Sequence, residues 1–506
     1  MNKKFIFIIF LSINYLVNCL ENSTINNITY NENDWDNATW VISSSFIIIT
    51  MQSGFGLLES GLVSKKNNTH IMVKNITDII FGGLTFWLFG YSVIFSKNSN
   101  GFIGYTNFFS EEKEESGWLF AQFFFQLTFS TTATTIVSGC LAERTKFSAY
   151  MIFSSLNTII YIFPAHWVWN KNGWLRNMGV VDFAGAGPVH LMGGITGMVG
   201  TIILKPRIKK HKPSSNVNSL LGLFMLWWGW LGFNCGSTFG VTEHLWIYAG
   251  KAAVTTVISS VGGGLTGIIY SYYFLDKKLI IDILINSILG SLVAITPNCI
   301  YVTTLESFFI GIIGAIIAFK SNDYIKNIGI DDPVGAIGVH TFSSFWGIIS
   351  TGFFANSNNI LNINKGLFYG GGFYLLGVQL LEIISITFWS LFLSYFFFSL
   401  INASVGLRLK KDEEELGADY LYHEELDDDI ENFNNDIEKL FFDREYNNQI
   451  KQKIENEIES EIKSEIENEI ENEIENEIEN GIKIEKQIEK QLETELEEIN
   501  HPNFIK

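Results

Sequence analysis

The chain contains Asp182-Phe-Ala-Gly-Ala-Gly-Pro-Val-His190-Leu-Met-Gly-Gly-Ile-Thr-Gly197 and, 150 residues later, Asp332-Pro-Val-Gly-Ala-Ile-Gly-Val-His340-Thr-Phe-Ser-Ser-Phe-Trp-Gly347. Six of the sixteen aligned residues are identical, and in both copies an Asp stands eight residues before a His. The copies open the fifth and the tenth apolar segments of the chain, which run in opposite directions if every segment crosses a membrane. The repeat therefore indicates two halves of inverted topology with five helices each.

Apolar segments of membrane-spanning length lie on both sides of this repeat. Each can supply about 20 residues of helix, enough to cross ~30 Å of hydrocarbon. With 47% hydrophobic and 17% charged residues, 44 Gly and 43 Phe, the composition excludes a soluble enzyme and favours closely packed membrane helices. The fold predicted is an all-α polytopic membrane protein with a 5+5 inverted repeat plus one helix. The eleven predicted spans are 40–62, 75–96, 118–140, 147–168, 187–204, 218–238, 248–274, 279–297, 302–319, 334–355 and 368–402.

Basic residues predict the orientation of these spans. Loops on one side of the alternating bundle carry seventeen Lys and Arg, whereas loops on the other side carry six. Because basic loops stay in the cytosol, the N-terminus is predicted outside and the C-terminus inside. Residues 1–20 are predicted to be a signal peptide, with a retained anchor helix as the alternative. Residues 21–39 are then extracellular or lumenal, and sequons at Asn22, Asn27 and Asn37 predict a glycoprotein.

The C-terminal region differs in composition from the rest. Residues 412–506 carry a net charge of −24, whereas residues 1–411 carry +5. We predict a membrane domain at 40–403, a cytosolic regulatory tail at 404–449 and a low-complexity acidic repeat at 450–506. The acidic run 413–415 is expected to dock on the basic inner loop 205–212 through exposed charges.

The acidic repeat has an unusual period. Ile recurs every fourth residue from Ile454 to Ile482. On an α-helix this stripe drifts ~40° at each step, because four residues turn the helix by more than one full turn. A solvated, flexible and partly helical extension is favoured, with a long coiled coil as the alternative.

The two repeated histidines are candidate functional residues. Eight residues of helix are ~12 Å long, so His190 and His340 are expected near the bilayer midplane, where a polar group is costly. One alternative is that each histidine only bonds a neighbouring helix. Metal binding is another, but no Cys or carboxylate lies at ligand spacing beside either His, and no metal or cofactor is predicted. The paired Asp182 and Asp332 are predicted to cap helix N-termini, with direct cation binding as the alternative.

Motifs between Trp40 and about His423 resemble the ammonium transporter family, which includes methylammonium permeases and Rhesus-type proteins. In family order they are Phe55-Gly-Leu-Leu-Glu-Ser-Gly-Leu62, Lys74-Asn75, Thr85-Phe-Trp-Leu-Phe-Gly90, Phe125-Gln-Leu-Thr-Phe129, Gly139-Cys-Leu-Ala-Glu-Arg144, the segment with His190, Gly229-Trp-Leu-Gly-Phe-Asn-Cys-Gly-Ser237, the segment with His340, and Gly406-Leu-Arg408. The resemblance implies a homotrimer of eleven-helix protomers, each with its own pore, and no enzymatic activity.

The resemblance also implies roles for individual residues. From outside to inside, they are a recruitment site of Trp169, Ser237 and Phe129, a vestibule residue Asp182, a phenyl gate of Phe129 and Phe233, a pore-lining Trp230 and a pore pair of His190 and His340. Trp174 competes with Trp169 for the first role. Aromatic faces attract a small cation, whereas apolar walls beyond the gate favour neutral ammonia, and imidazoles can relay the proton.

The predicted function is therefore transport of ammonium or ammonia across a membrane. The alternatives are an ammonium receptor that signals through its tail and a Rhesus-like pore for a neutral gas. The predicted partners are the substrate, the lipid bilayer and a cytosolic regulator of the tail. The predicted location is the plasma membrane, with an endosomal or vacuolar membrane as the alternative. Thr341 stands where the family usually has Gly, which bears on rate and selectivity.

Overall fold

The computed structural model describes residues 34–106, 117–275, 277–357, 361–423 and 430–499. The chain divides into two compact units, residues 1–425 and 426–506. Among the described residues there is no β-strand, and two isolated bridges, Ser99–Gly104 and Thr145–Arg408, are the nearest approach to one. The predicted signal peptide and the sequons at Asn22 and Asn27 lie outside the described residues.

The described part of the first unit contains eleven long helices, and each overlaps one predicted span. They are α1 Asp34–Leu62, α2 Lys65–Phe95, α3 Gly117–Cys140, α4 Phe147–Trp169, α5 Ala186–Leu204, α6 Asn216–Gly236, α7 Leu245–Phe274, α8 Ile281–Ile295, α9 Thr304–Asn327, α10 337–354 and α11 Tyr374–Ser404. Seven helical segments, which include α1, α2, α4, α5, α7, α9 and α11, are long and apolar enough to cross a membrane. The prediction of an all-helical membrane protein is confirmed.

The loops form two groups, one at each end of the bundle. At the first end, loops are joined by backbone hydrogen bonds from Trp174 to Gly101, from Phe183 to Pro297 and from Asn356 to Tyr301. At the second end, they are joined by bonds from Ser214 to Val63, from Lys146 to Leu407 and from Arg207 to Asp331. Helix α5 thus begins at the first end and finishes at the second, whereas α10 does the reverse. The two copies of the repeat run in opposite directions, as an inverted repeat requires.

Small residues allow the helices to approach closely. A Cβ added to Gly54 of α1 would stand 3.0 Å from the backbone N of Leu226 in α6, and one added to Gly232 of α6 would stand 3.0 Å from Ser44 O in α1. Since lipid tails are as apolar as the helices, close backbone packing of this kind supplies much of the association energy in a membrane. The high glycine content therefore serves helix packing.

The start of the tail contacts the loops at the second end. Arg408 Nε donates to Glu414 Oε2 (2.9 Å), and Glu414 Oε1 accepts a hydrogen bond from the backbone N of Ile208 (2.8 Å). Asp419 accepts from the backbone N of His70 (2.7 Å). The expectation of docking through exposed charges is wrong for this contact, because Glu414 and Asp419 are only 7% and 6% exposed. Buried carboxylates with backbone donors hold position more firmly than surface ion pairs.

The second unit contains one described helix, Ile430–Ile499, of 70 residues. Its Ile side chains between Ile454 and Ile488 are about half exposed, for example 49% for Ile454 and 56% for Ile478. Residues 450–499 form a continuous helix, where a flexible and only partly helical extension was favoured. Glu, Ile, Lys and Gln tolerate the helix well, and Pro does not occur in this range. Whether the stripe forms a coiled coil stays a prediction.

Of the three predicted glycosylation sites, Asn37 is the one within the described residues, and it lies in the first turn of α1. Its Oδ1 accepts hydrogen bonds from the backbone N of Val241 (2.9 Å) and of Thr242 (3.2 Å). The side chain thus ties the start of α1 to the loop after α6. Glycosylation at this position stays a prediction.

Candidate functional site

The two histidines of the repeat lie side by side inside the bundle. Their Nδ1 atoms are 3.2 Å apart, and their rings are nearly parallel, at 16°, with centroids 5.2 Å apart. Both are buried, with 0% of His190 and 2% of His340 exposed. Two facing ring nitrogens can bond only if one donates and the other accepts. The neutral pair therefore shares one proton between its Nδ1 atoms.

Both histidines stand in π-helical turns that open their helices. These turns are Ala186–Leu191 in α5 and Ile337–Phe342 in α10. A π-helical turn carries an extra residue and redirects its side chains, and such turns are frequent at functional sites. The sequence predicted ordinary helix here, because the hydrophobic pattern does not separate the two forms.

Each π-helical turn is capped by its Asp. Asp182 accepts hydrogen bonds from the backbone N of Gly185, Ala186 and Gly187 at 2.7–2.9 Å. Asp332 accepts from Val334, Gly335 and Ile337 at 2.7–3.2 Å. The shared glycine of the repeat has φ +93° at position 185 and +76° at position 335, a conformation that a side chain disfavours. Asp and Gly together fix where each helix starts, and with it the depth of its histidine.

A cavity of about 690 Å³ opens at the first end of the bundle. Trp169, Phe129, Asp182 and Ser237, which the resemblance places at the outer face, all line it, whereas Trp174 does not. Trp169 Nε1 donates to the backbone O of Asp182 (3.2 Å), and Ser237 Oγ donates to Phe233 O (2.8 Å). Because its own hydrogen is used in this way, the Ser237 oxygen is left to accept from a ligand. Of the two tryptophans, Trp169 is the one at the cavity.

Aromatic rings separate this cavity from the histidines. Phe129 and Phe233 stack at 3.9 Å between centroids and 11° between planes, and at most 1% of either side chain is exposed. Phe129 lies edge to face with Trp169 at 5.8 Å, and Phe233 lies 5.6 Å from His190. Trp230 stacks on His190 at 5.0 Å and donates from Nε1 to Thr296 Oγ1. The path from cavity to histidines is thus closed by two apolar rings.

A second, smaller cavity lies beside His340 on the other side of the pair. Its volume is about 20 Å³, and its polar lining residues are Glu59, Asn286 and His340. Glu59 bonds two neighbouring helices, through Asn75 of α2 and Ser138 of α3. Its place at this cavity was not predicted, because position 59 is 281 residues from His340.

Glu382 of α11 is another residue that the sequence analysis missed. It is fully buried, and its Oε2 accepts a hydrogen bond from Gln379 Nε2 (3.2 Å) on the same helix. A lone carboxylate inside an apolar span is costly enough to mark a candidate site, and this signal was present in the sequence. In the described part of the chain, no three His, Cys, Asp or Glu residues are grouped as ligands for a metal ion.

Thr341 is accommodated by a glycine on the facing helix. Thr341 is buried, at 1% exposed, and a Cβ added to Gly194 of α5 would stand 2.7 Å from its backbone N. The missing side chain at position 194 thus gives α10 the room for a threonine next to His340.

The bundle consists of two halves of inverted topology, and stacked phenyl rings and paired histidines separate its two cavities. This arrangement defines a helical membrane transport protein. Residues 38–427 match the sequence model of the Ammonium Transporter Family. The chain belongs to this family.

Relatives and solved structures agree with the assignment. Putative ammonium transporter 3 of Caenorhabditis elegans is 43% identical over 411 residues, which are 77% of this chain but only 60% of that protein. Ammonium transporter 3 of Dictyostelium discoideum is 34% identical, over 76% of this chain and 92% of that protein. A solved structure described as a sensor Amt protein superposes with TM-score 0.71 and 31% identity, covering 78% of this chain and 99% of that one. The crystal structure of Saccharomyces cerevisiae Mep2 superposes with TM-score 0.68 and 28% identity, covering 75% of this chain and 88% of that one.

The geometry of the outer cavity predicts unequal effects for two substitutions. Asp182→Asn removes an acceptor from a cap with three donors and leaves a backbone N–H facing an amide N–H₂, at a cost of about 1–3 kcal/mol in stability. Ser237→Ala removes one acceptor, and is expected to weaken ammonium binding by about 1 kcal/mol with folding unaffected. Expression, oligomeric state and ammonium uptake of the two variants test this. Full activity in Asp182→Asn beside an inactive Ser237→Ala would reverse the ranking.

Proposed function

We propose that this protein transports ammonium by passing neutral ammonia and the proton separately. The observation that carries the proposal is the unbroken order of outer cavity, stacked Phe129 and Phe233, and paired His190 and His340. An ammonium ion entering the apolar section would lose hydration worth many kcal/mol, whereas ammonia loses far less. Potassium cannot shed a proton, so the same section excludes it.

Recruitment of the cation takes place in the outer cavity. The faces of Trp169 and Phe129 attract a small cation, and Ser237 Oγ accepts a hydrogen bond from one N–H group of the ammonium ion. The carboxylate of Asp182, which lines the same cavity, adds negative charge. Movement of the stacked phenyl rings is then needed for passage, because at 3.9 Å between centroids they leave no opening.

The histidine pair carries the proton and guides the ammonia. A shared Nδ1 proton fixes one ring as donor and the other as acceptor, so the pair can take up a proton at one ring and release one at the other. Stacking of Trp230 on His190 keeps the ring oriented while its bonds change.

In this proposal all eleven helices cross the membrane, with the N-terminus outside and the C-terminus in the cytosol. The grouping of the loops at two ends supports the alternation, and the basic second end supports the direction. Large apolar side chains are exposed along α7 and α11, for example Tyr273 (74%), Phe388 (70%) and Phe392 (61%). Such faces suit lipid or a second copy. A homotrimer in the plasma membrane is proposed, without metal or cofactor.

One observation favours a second role as an ammonium receptor. Buried Glu414 holds the start of the tail against the loop after α5, and buried Asp419 holds it against the start of α2. A change in the position of those helices would therefore change the fit of the tail. The Rhesus-like gas pore has no comparable observation in its favour.

Reconstitution into liposomes tests the proposed function. Ammonium should enter faster than in protein-free vesicles, and an inward current should accompany it if the proton is carried. Entry with current supports the proposal, and entry without current identifies a gas pore. No acceleration of entry would show that the protein is not a transporter.

The tail offers a further prediction. Deletion of 450–506 should leave transport nearly unchanged, because this helix lies in the separate second unit. Deletion from residue 406 should reduce or deregulate transport, since Arg408 caps the end of α5 by donating to Leu204 O (2.6 Å) and Pro206 O (2.8 Å). Uptake is compared for the two deletions after their trimer content is matched. Loss of transport in the shorter deletion alone would assign a role to the acidic repeat.

A further inference from the structure

Glu59 is a buried carboxylate that the proposed pathway does not use. Only 2% of it is exposed. Asn75 Nδ2 donates to its Oε2 (2.8 Å), and Ser138 Oγ lies 2.6 Å from both carboxylate oxygens. Lys74, also buried, lies near enough to interact with its charge. Three neighbours thus favour an ionised carboxylate at a depth where ionised groups are otherwise expensive.

The carboxylate and His340 line the same small cavity. Its volume of about 20 Å³ has room for one water molecule, which needs roughly 10–15 Å³ on the same measure. Asn286 lines it too, and within the described residues no donor reaches Asn286 Oδ1. A buried oxygen of this kind ordinarily has a water as its partner. The cavity therefore offers a water three polar neighbours, on α1, α8 and α10.

We propose that Glu59 accepts the proton that leaves His340 on the inner side of the pore, through a single bridging water. In this step an N–H bond of the His340 imidazolium breaks, the water passes a proton on, and an O–H bond forms on Glu59. Imidazolium and carboxylate become neutral imidazole and carboxylic acid, so the transferred proton removes a separated pair of charges from the low-dielectric interior. The inference rests on the proposed function, which supplies the proton to the histidine pair.

Several groups around Glu59 can influence this exchange. From α2 they are Lys74 and Asp78, from α3 Cys140, and from α4 Tyr150, whose ring lies 5.1 Å from Lys74 Nζ. Within the described residues Lys74 Nζ has no hydrogen-bond partner. Its positive charge is therefore available to Glu59. After Glu59 has released the proton, this charge would stabilise the ionised carboxylate.

The variant Glu59→Gln tests the proposal on proteoliposomes. The amide keeps the size of the side chain and can still bond Asn75 and Ser138, but it cannot accept a proton. The current after an ammonium jump should fall about tenfold or more, as for loss of an acid–base group. Ammonia entry, followed by the rise of internal pH, should continue, and the trimer should remain intact. Ser138→Ala is the matched control, because it removes one bond to Glu59 and leaves the carboxylate.

The outcomes separate this proposal from the proposed function. An undiminished current in Glu59→Gln would overturn it, and so would an equal loss of current and ammonia entry, which indicates a blocked pore. If Glu59→Gln does not assemble, Asn286→Leu is used to test the relay instead, because it removes another polar partner of the bridging water. A lower current in Asn286→Leu supports the relay, and an unchanged one contradicts it. Absence of ammonium entry in the unaltered protein would instead refute the proposed function.

Discussion

Replacing His190 and His340 together by Ala is expected to lower ammonium transport at least about 100-fold, the scale of acid–base contributions. The rings occupy the centre of the path with their Nδ1 atoms 3.2 Å apart, and they are the groups there that can exchange a proton. Two alanines leave an apolar gap in which a proton has no carrier. Uptake and current in liposomes measure the loss, and the expression level and oligomeric state should stay unchanged because both rings face each other within the bundle.

The exposed His244 supplies the control for this experiment. His244→Ala also removes an imidazole, but from a surface turn outside the path, and it should transport normally. If the double variant keeps both its flux and its discrimination against potassium, the two histidines only pack, and the assignment of the pore pair is wrong.

The second large effect is expected at Arg207, in the loop after α5. Arg207 Nη1 bonds Glu143 Oε2 (2.5 Å), and Nε bonds Asp331 Oδ2 (2.8 Å). Burial alone would raise the pKa of Asp331 and of Glu143, but the bonds and charge of Arg207 outweigh burial and lower both pKa values. Arg207→Met therefore removes from two buried carboxylates the buried cation that bonds both of them, at a cost of about 3–5 kcal/mol in stability.

Lys210 provides a matched comparison. Its Nζ lies 3.2 Å from the same Asp331, but its side chain is 53% exposed, against 10% for Arg207. Lys210→Met should cost only about 0–1 kcal/mol. Thermal unfolding of the detergent-solubilised protein measures both variants. Equal midpoints for the two would show that burial does not strengthen the Arg207 contacts.

The sign of the pH effect follows from the same pair of carboxylates. Because their pKa values are lowered in the folded protein, their contribution to stability is complete above their ordinary values. It is lost only as the pH falls into the acidic range. Transport assays near neutral pH therefore leave this contact intact.

Much of the fold could be predicted from the sequence because the deciding signals are local. Apolar length gave the positions of the eleven long helices that the structure describes in the first unit, and the fixed spacing of Asp and His in two segments gave the inverted repeat. The motifs gave the family, which the match over residues 38–427 confirms. None of these signals requires knowledge of which helices touch.

Predictions that needed distances were less complete. The sequence left Trp169 and Trp174 as competitors, and only the folded chain shows which one lines the outer cavity. The charge pattern suggested exposed docking of the tail, whereas Glu414 is buried against Ile208. The charge pattern of a sequence predicts which segments attract each other, but it does not predict whether their contact is buried. Burial decides how strong such a contact is.

The sequence by itself determined that this chain is a helical membrane protein with an inverted repeat and two histidines at equal depth, since helix length and spacing are properties of neighbouring residues. Only the tertiary structure decided that the histidines meet, that their helices begin as π-helical turns, and that Glu59 shares a cavity with His340. These features depend on packing between segments far apart in the chain. In a close-packed interior, the position of each side chain is set by all its neighbours together.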